Sequence, residues 1–180
     1  MGVTFFVLAC AVLHVTFAMD CKEVMERREE IKDCCSAPPI LSMDGLKECF
    51  EENKDKEKRE KFTCSFECFF KHHNVLDDNG EPSKEKLLAK VEGFEGEWKQ
   101  TSIKMIEDCF AKQEEMKAKH GGGEKKEGCH PASAFLNMCL GKNFLQNCPA
   151  AQWNDSELCN KVKSGECHHK KGGKGGPPPE

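Results

Sequence analysis

The stretch KFTCSFECFFKHH, residues 61–73, decides how the rest of the chain is arranged. At about 100° per residue on a helical wheel, one stripe of this segment carries four phenylalanines, Phe62, Phe66, Phe69 and Phe70. Cys64 and Cys68, four residues apart, lie on nearly the opposite side. A helix with an aromatic stripe on one face and two crosslinking positions on the other is expected to be buried on both. The segment therefore predicts a central helix with two neighbours attached to it by disulfides.

The first 18 residues resemble a secretory signal peptide. They contain no charged side chain, and their apolar centre runs from Phe5 to Leu13. Small residues at Thr16 and Ala18 suit cleavage after Ala18. A buried core helix is the alternative for this segment, but the rest of the chain is highly polar. The sequence therefore predicts a secreted, extracellular protein whose mature chain begins at Met19.

Cysteine content is the strongest compositional feature, with 13 cysteines in 180 residues. Removal of the signal peptide removes Cys10 and leaves an even number, which in a secreted chain implies up to six disulfides. The chain contains no C-x-x-C pair of the kind that structural zinc sites use, so no metal is expected. The twelve remaining cysteines are Cys21, Cys34, Cys35, Cys49, Cys64, Cys68, Cys109, Cys129, Cys139, Cys148, Cys159 and Cys167.

Composition also limits the class of protein. The net charge of −4 excludes a strongly basic nucleic-acid binder. No run reaches the roughly 18 apolar residues of a membrane-spanning helix, so membrane insertion is not expected. Residues 168–180, HHKKGGKGGPPPE, have low complexity and are predicted to be disordered. We therefore expect a signal peptide over 1–18, one helical domain over 19–167 and a tail over 168–180.

Local signals indicate an all-α fold. The chain has no tyrosine, little alternation of period two and many helix caps and breakers. Breaks fall at Pro38-Pro39, at Asp77–Pro82 and at Gly121–Gly123. The predicted helices run from Asp20 to about Asp33, from Ser42 to about Asn53, from Glu57 to Asn74, from Ser83 to about Glu92, from Glu97 to Lys119, from Pro131 to about Asn143, and onward from a cap at Asn154–Glu157.

Thirteen apolar residues on these helices are candidates for a ligand cavity. Plain core packing is the alternative for each of them, and the sequence leaves both open. Phenylalanine and methionine are common in pockets because they are large or adaptable. The candidates are Phe66, Phe69, Phe70, Leu87, Leu88, Val91, Phe94, Trp98, Met105, Ile106, Phe110, Phe135 and Met138.

The order of cysteine intervals resembles the Plus-C subgroup of insect odorant-binding proteins. The C-x3-C at Cys64 and Cys68, the C-x8-C that ends at Cys148 and the proline directly after it are the motifs that carry this resemblance. It covers about residues 34–159. It implies a compact, disulfide-stapled bundle of about six to eight helices around an apolar cavity. It also implies a carrier of odorants, pheromones or similar small hydrophobic ligands, acting in the sense of smell.

The resemblance also implies a disulfide pairing. In the six-cysteine members the first cysteine pairs with the third, the second with the fifth and the fourth with the sixth. Cys64 and Cys139 match the second and fifth and are the best single pair. Cys68 would pair with Cys34 or Cys35. Cys148 matches the sixth, with Cys109 and Cys129 competing for the fourth.

Other functions are less well supported by the sequence. Catalysis by a nucleophile needs a placed serine or cysteine beside a histidine, and here every mature cysteine is expected to be oxidised, so no catalytic residue and no cofactor are predicted. Asn154 begins a glycosylation sequon, Asn154-Asp-Ser156, although capping of the last helix is an equal alternative. A secreted interaction or sequestration protein of reproductive, salivary or haemolymph origin is the alternative function. The ligand, a membrane receptor as partner and the oligomeric state stay open.

Overall fold

The computed structural model describes residues 19–120 and 128–168, and it contains an all-helical bundle over this range. The predicted signal peptide, the Gly121–Gly123 break and the tail beyond His168 lie outside the described residues. No strand is present within them, only isolated bridges between Cys35 and Trp153 and between Leu76 and Pro82. The α-helices of the described range are α1 Cys21–Glu26, α2 Leu46–Glu52, α3 Lys58–His72, α4 Lys84–Lys90, α5 Gly96–His120, α6 Ala132–Gln146 and α7 Glu157–Ser164. The predicted all-α fold is confirmed.

The helices begin where local caps place them. Side-chain oxygens of Asp20, Ser83 and Ser156 accept hydrogen bonds from backbone N–H groups in the first turns of α1, α4 and α7. Such caps satisfy donors that the helix itself leaves free. The first predicted helix is shorter than expected, because α1 ends at Glu26 and a 3₁₀ helix, Arg28–Cys34, follows it. Two more short 3₁₀ helices lie at Ala150–Gln152 and Glu166–His168.

The α3 helix lies at the centre of the bundle, as its sequence predicts. It packs against α2 on one side and α6 on the other, while α5 packs against α4 and α6. Phe66, Phe69 and Phe70 are buried, and neighbouring rings of this helix meet edge to face with centroids 6.2–6.5 Å apart. Edge-to-face contacts add to the burial of apolar area. These three rings are therefore the spine of the main core. Phe62, the fourth member of the predicted stripe, is 37% exposed, so the prediction that the whole stripe is buried is wrong at the first turns of α3.

A smaller apolar cluster lies beside this core, and Leu145 packs against both. Met19 and Val24, before and within α1, pack against Leu158 and Val162 of α7. Ile31, Leu145 and Cys167 border the cluster. It joins the two ends of the described chain.

All twelve predicted cysteines are bonded in the structure, in six disulfides. The pairs are Cys21–Cys167, Cys34–Cys159, Cys35–Cys148, Cys49–Cys68, Cys64–Cys129 and Cys109–Cys139. The first three are nested and join the N-terminal segment to the C-terminal one. The last three crosslink the helices of the bundle.

The pairing that the resemblance implied is wrong. The best single pair, Cys64–Cys139, does not form: Cys64 bonds Cys129, just before α6. Packing of α5 on α6 brings Cys109 and Cys139 to a Cα separation of 5.8 Å, within the reach of a disulfide.

The other two implied pairings also fail. Cys68 bonds Cys49, because α2 packs along α3, and not Cys34 or Cys35. Cys148 bonds Cys35 rather than Cys109 or Cys129. The bridge between Cys35 and Trp153 places the N-terminal segment beside the chain that follows α6.

Candidate ligand-binding site

Most of the predicted cavity residues lie in one continuous apolar core between α3, α4, α5 and α6. Their gathering agrees with their spacing in the sequence, but whether they line a cavity or only pack stays a prediction. The buried members are Phe66, Phe69, Phe70, Leu87, Val91, Trp98, Met105 and Ile106, and the partly buried ones around them are Leu88, Phe94, Phe110 and Phe135.

Met138 is the exception among the thirteen candidates. Its side chain is 54% exposed, on the outer face of α6. The α6 sequence is apolar nearly all round, so its periodicity does not select an inner face. Packing against α3 and α5 makes that selection, and it leaves Met138 in solvent. The prediction that Met138 lines the interior is therefore wrong.

Besides Nε2 of His73, three buried polar side-chain atoms have no hydrogen-bond partner among the described residues. They are Oγ of Ser102, Oγ of Ser133 and Oε1 of Gln113, and each of these side chains is at most 5% exposed. Ser102 and Gln113 lie on the α5 face of Cys109, seven residues before it and four after it. Buried polar atoms are nearly always paired, so each such exception needs an explanation. A polar group of a bound ligand or a water molecule would satisfy them.

Sequence reasoning did not single out these polar residues. A signal was available, because Ser102 and Gln113 share the helical register of the apolar residues Trp98, Met105 and Ile106. Polar residues in a core-facing register are expected to have a specific partner. The register therefore marks positions where a polar side chain faces the interior and needs a hydrogen-bond partner.

An open groove of about 770 Å³ lies at the surface between α2 and the end of α3. The Cys49–Cys68 disulfide lies along its wall, and both charge signs line it. Lys47 and Lys71 form no ion pair within the part of the chain that the structure describes. None of the thirteen predicted residues lies there; the groove is lined by Met43, Asp44, Gly45, Lys47, Glu48, Cys49, Glu52, Cys68, Lys71 and His72.

His72 lines this groove, and His73 lies next to it, outside the lining. The His72 ring lies against the backbone of Gly45, which adopts φ of +77°, and contacts His73 edge to face at 5.4 Å. His73 in turn packs on Phe69 at 4.6 Å. Burial, with the nearby His72 and Lys90, lowers the pKa of His73, although the backbones of Ser42 and Asp44 act in the opposite direction. His73 is therefore held in its neutral form at neutral pH.

A second polar cluster fastens the beginning of α6 to the rest of the bundle. Glu67 accepts a hydrogen bond from the backbone N–H of His130, and the His130 ring lies 3.6 Å from Glu81. Lys117 pairs with Glu81 at 3.1 Å. Burial opposes the charge on Lys117, but its bonds to Glu81 and Glu114 raise its pKa overall. These bonds join the beginning of α6 to α3, to α5 and to the turn before α4, so we assign the cluster a structural role.

Asn154 is exposed, as an acceptor of glycan must be. Its Nδ2 donates to the carbonyl of Asp33 at 3.4 Å, and Ser156 of the same sequon caps α7. The capping interpretation of this segment is thus confirmed for Ser156. Glycosylation of Asn154 stays a prediction.

Comparison with known proteins gives the family. A family model described as AgamOBP47-like matches residues 38–165. The chain belongs to this family of insect odorant-binding proteins, and its six disulfides fit the Plus-C type.

Two curated relatives come from Anopheles gambiae. The chain is 26% identical over 150 residues to "Odorant-binding protein 47" and 24% identical over 143 residues to "General odorant-binding protein 68". Each alignment covers 73% of this chain, and 65% and 66% of the respective relative, so the chain spans just under two thirds of the relatives' length. Within the described range, no helix is both long and apolar enough to cross a bilayer.

Proposed function

We propose that this protein is a secreted carrier, not an enzyme, that binds small hydrophobic ligands such as odorants or pheromones for olfaction. Membership of the AgamOBP47-like family is the observation that carries the proposal. The names of the two mosquito relatives support it. Ligand transfer from water to the helical core would be driven mainly by burial of apolar area, at about 25 cal/mol per Å².

The interior of the bundle between α3, α5 and α6 is the proposed binding region. Its apolar walls would hold the body of the ligand, and Met105 can adapt its shape to different ligands. The unpaired Oε1 of Gln113 would accept a hydrogen bond from one polar group of the ligand. Ser102 lies eleven residues earlier on α5, about 16 Å away along the helix, and is out of reach of the same group. The proposed ligands are therefore apolar molecules with a single hydroxyl group, which can donate to this oxygen.

Displacement of an environment-sensitive hydrophobic dye, N-phenyl-1-naphthylamine, tests the carrier function. Native, oxidised protein is expected to bind the dye and to release it when a long-chain alcohol is added. Gln113→Leu should weaken binding of the alcohol roughly fivefold, which corresponds to about 1 kcal/mol for one lost hydrogen bond. The affinity for the dye should stay unchanged. Ser65→Ala is the matched control, because the Ser65 hydroxyl already bonds the Cys49 carbonyl at 3.1 Å. Absence of dye binding by the oxidised protein would contradict the carrier function.

A secreted interaction protein is the second candidate function, and the open groove favours it. The groove is accessible without any rearrangement, and its lysines Lys47 and Lys71 have no ion-pair partner within the described chain. A charged segment of another protein would suit such a lining better than an apolar odorant. Failure of dye binding together with a saturable shift of the His72 imidazole NMR signals on addition of an extracellular extract would favour this candidate.

A further inference from the structure

The backbone nitrogen of Met19 lies 2.6 Å from Oε1 of Glu157, a residue 138 positions later in the chain. Glu157 is the first residue of α7, next to the Ser156 cap. This contact joins the beginning of the mature domain to its last helix. In the uncleaved chain the nitrogen is a neutral amide with one hydrogen to donate.

The Met19 nitrogen is fixed in place by packing. Its side chain lies in the smaller apolar cluster with Val24, Leu158 and Val162. Two residues later, Cys21 is bonded to Cys167. An amine created at this position would therefore face Glu157 without having to be ordered first, which removes most of the entropic cost of a surface ion pair.

The basic side chains near Glu157 are paired with other carboxylates. Arg27 is near enough to feel its field, but the Arg27 guanidinium is held by both oxygens of Glu30 at 2.7 and 2.8 Å. On α7, Lys161 is paired with Glu166. Asp20 and Glu23 add negative charge on the α1 side. Within the described residues Glu157 forms no ion pair with a lysine or an arginine.

We propose that removal of residues 1–18 is a step in completing the fold, because it creates an α-ammonium group on Met19 that forms an ion pair with Glu157. The inference rests on the predicted cleavage after Ala18 and is independent of any ligand. A signal peptidase hydrolyses the Ala18–Met19 amide bond: water gives its hydroxyl to the Ala18 carbonyl carbon and a hydrogen to the Met19 nitrogen. Proton transfer then leaves a carboxylate on Ala18 and an ammonium on Met19.

The pair has a defined dependence on pH. A free α-amino group titrates near 7.7–8.0, and a neighbouring carboxylate favours its charged form. A base with a raised pKa in the folded state stabilises the protein fully below the unfolded value, and this stabilisation is lost as pH rises through the folded value. The effect of the pair is therefore expected at pH 7.0 and should shrink by pH 9.5.

The test compares two forms of the oxidised mature chain: one that begins at Met19 and one with a single glycine before it. Glu157→Gln is made in both. In the form that begins at Met19, the substitution should lower Tm by about 2–4 °C at pH 7.0, as about 1 kcal/mol does in a domain of this size, and by less at pH 9.5. In the extended form, Glu157→Gln should lower Tm by less than about half of that amount. Glu26→Gln, at an exposed carboxylate 3.7 Å from Lys22, is the matched control and should act equally in both forms.

Two further measurements keep the proposal decidable. If α1 opens locally before the molecule melts, hydrogen exchange of the α1 amides should be faster in the extended form. The intact mass of protein secreted by insect cells should correspond to a chain that begins at Met19. A secreted chain with another first residue, or equal effects of Glu157→Gln on Tm and exchange in both forms, would overturn the proposal.

Discussion

Gly45 is the residue at which backbone conformation and the surface groove depend on each other most directly. It precedes α2 with φ of +77°, a region that residues with a side chain rarely adopt. A Cβ at this position would lie 2.8 Å from Cδ2 of His72. Glycine is thus required twice, once for its backbone angle and once for the close approach of the imidazole.

Substitution of Gly45 separates these two requirements. Gly45→Ala should destabilise the protein by about 2–4 kcal/mol, from the strained φ and the clash together. Gly80→Ala is the matched control, since Gly80 has φ of +78° but nothing within 4 Å of its Cβ position; it should cost only about 1–2 kcal/mol. Urea unfolding measures both. Equal losses would mean that the His72 contact has no energetic weight.

His73 makes the stability of the folded protein depend on pH in the mildly acidic range. Its pKa is lowered in the folded state by burial, with smaller contributions from His72 and Lys90. The unfolded chain therefore binds a proton more readily near the ordinary value of about 6.5. Stability is fully present above that pH and is lost as pH falls below it.

The measurement is Tm at pH 7.5 and 5.5 for the native chain and for His73→Phe. The native chain should lose more Tm on acidification than the variant. His72→Phe is the comparison at the exposed neighbour, and it should retain most of the native pH response. An unchanged response in His73→Phe would contradict the assignment.

Among the elements, α7 shows how a short helix is held by local and distant contacts together. Ser156 caps it by accepting from the N–H of Cys159 at 3.3 Å, and Gly165 ends it with φ of 71°. Trp153, just before it, donates to Asn160 at 3.0 Å and lies under Lys163 at 4.3 Å. These contacts hold α7 in the position in which α1 packs against it.

The cap and the sequon can be separated by three substitutions. Ser156→Ala removes both and should destabilise the protein by about 1 kcal/mol. Asn154→Gln removes only the sequon, and Ser156→Thr preserves both functions. Intact mass of the secreted proteins reports glycosylation and urea unfolding reports the cap. A loss of stability in Asn154→Gln as large as that in Ser156→Ala would show that the glycan, not the cap, stabilises α7.

At the scale of the whole molecule, three nested disulfides determine how the two ends of the chain are joined. Cys21–Cys167 encloses Cys34–Cys159, which encloses Cys35–Cys148. While the Cys34–Cys159 bridge is intact, the outer bridge closes a small loop. This loop consists of the 13 residues from Cys21 to Cys34 together with the 8 residues from Cys159 to Cys167. Its effect on the unfolded state is that of a short loop rather than one of 146 residues.

Removal of the outer bridge should therefore have a limited effect. Replacement of both Cys21 and Cys167 by serine is expected to cost about 3 kcal/mol, as for a loop of about 20 residues, and to leave dye binding unchanged. Full reduction of the native protein should abolish cooperative melting and binding together. Circular dichroism with and without reductant measures the second effect. Unchanged helicity and melting after full reduction would contradict the role of the framework.

Local sequence signals determined the helices of this protein. The caps at Asp20, Ser83 and Ser156 and the breaks around Pro38 and Asp77 act within a few residues of where they stand. Apart from the first helix, which ends early at Glu26, the predicted elements therefore match the observed ones closely. The phenylalanine spacing in α3 likewise determined that Phe66, Phe69 and Phe70 enter the core, although Phe62 on the same stripe stays exposed. Fold class follows from these signals because each of them is short-range.

Only the tertiary structure decided which distant groups meet. The family resemblance implied Cys64–Cys139, but helix packing placed Cys129 beside Cys64 and Cys109 beside Cys139. Helix packing also decides that Met138 is exposed and that the His72 ring contacts Gly45. The physical reason is common to all three: periodicity describes the faces of one helix, whereas a contact also needs the position and the rotation of the helix opposite.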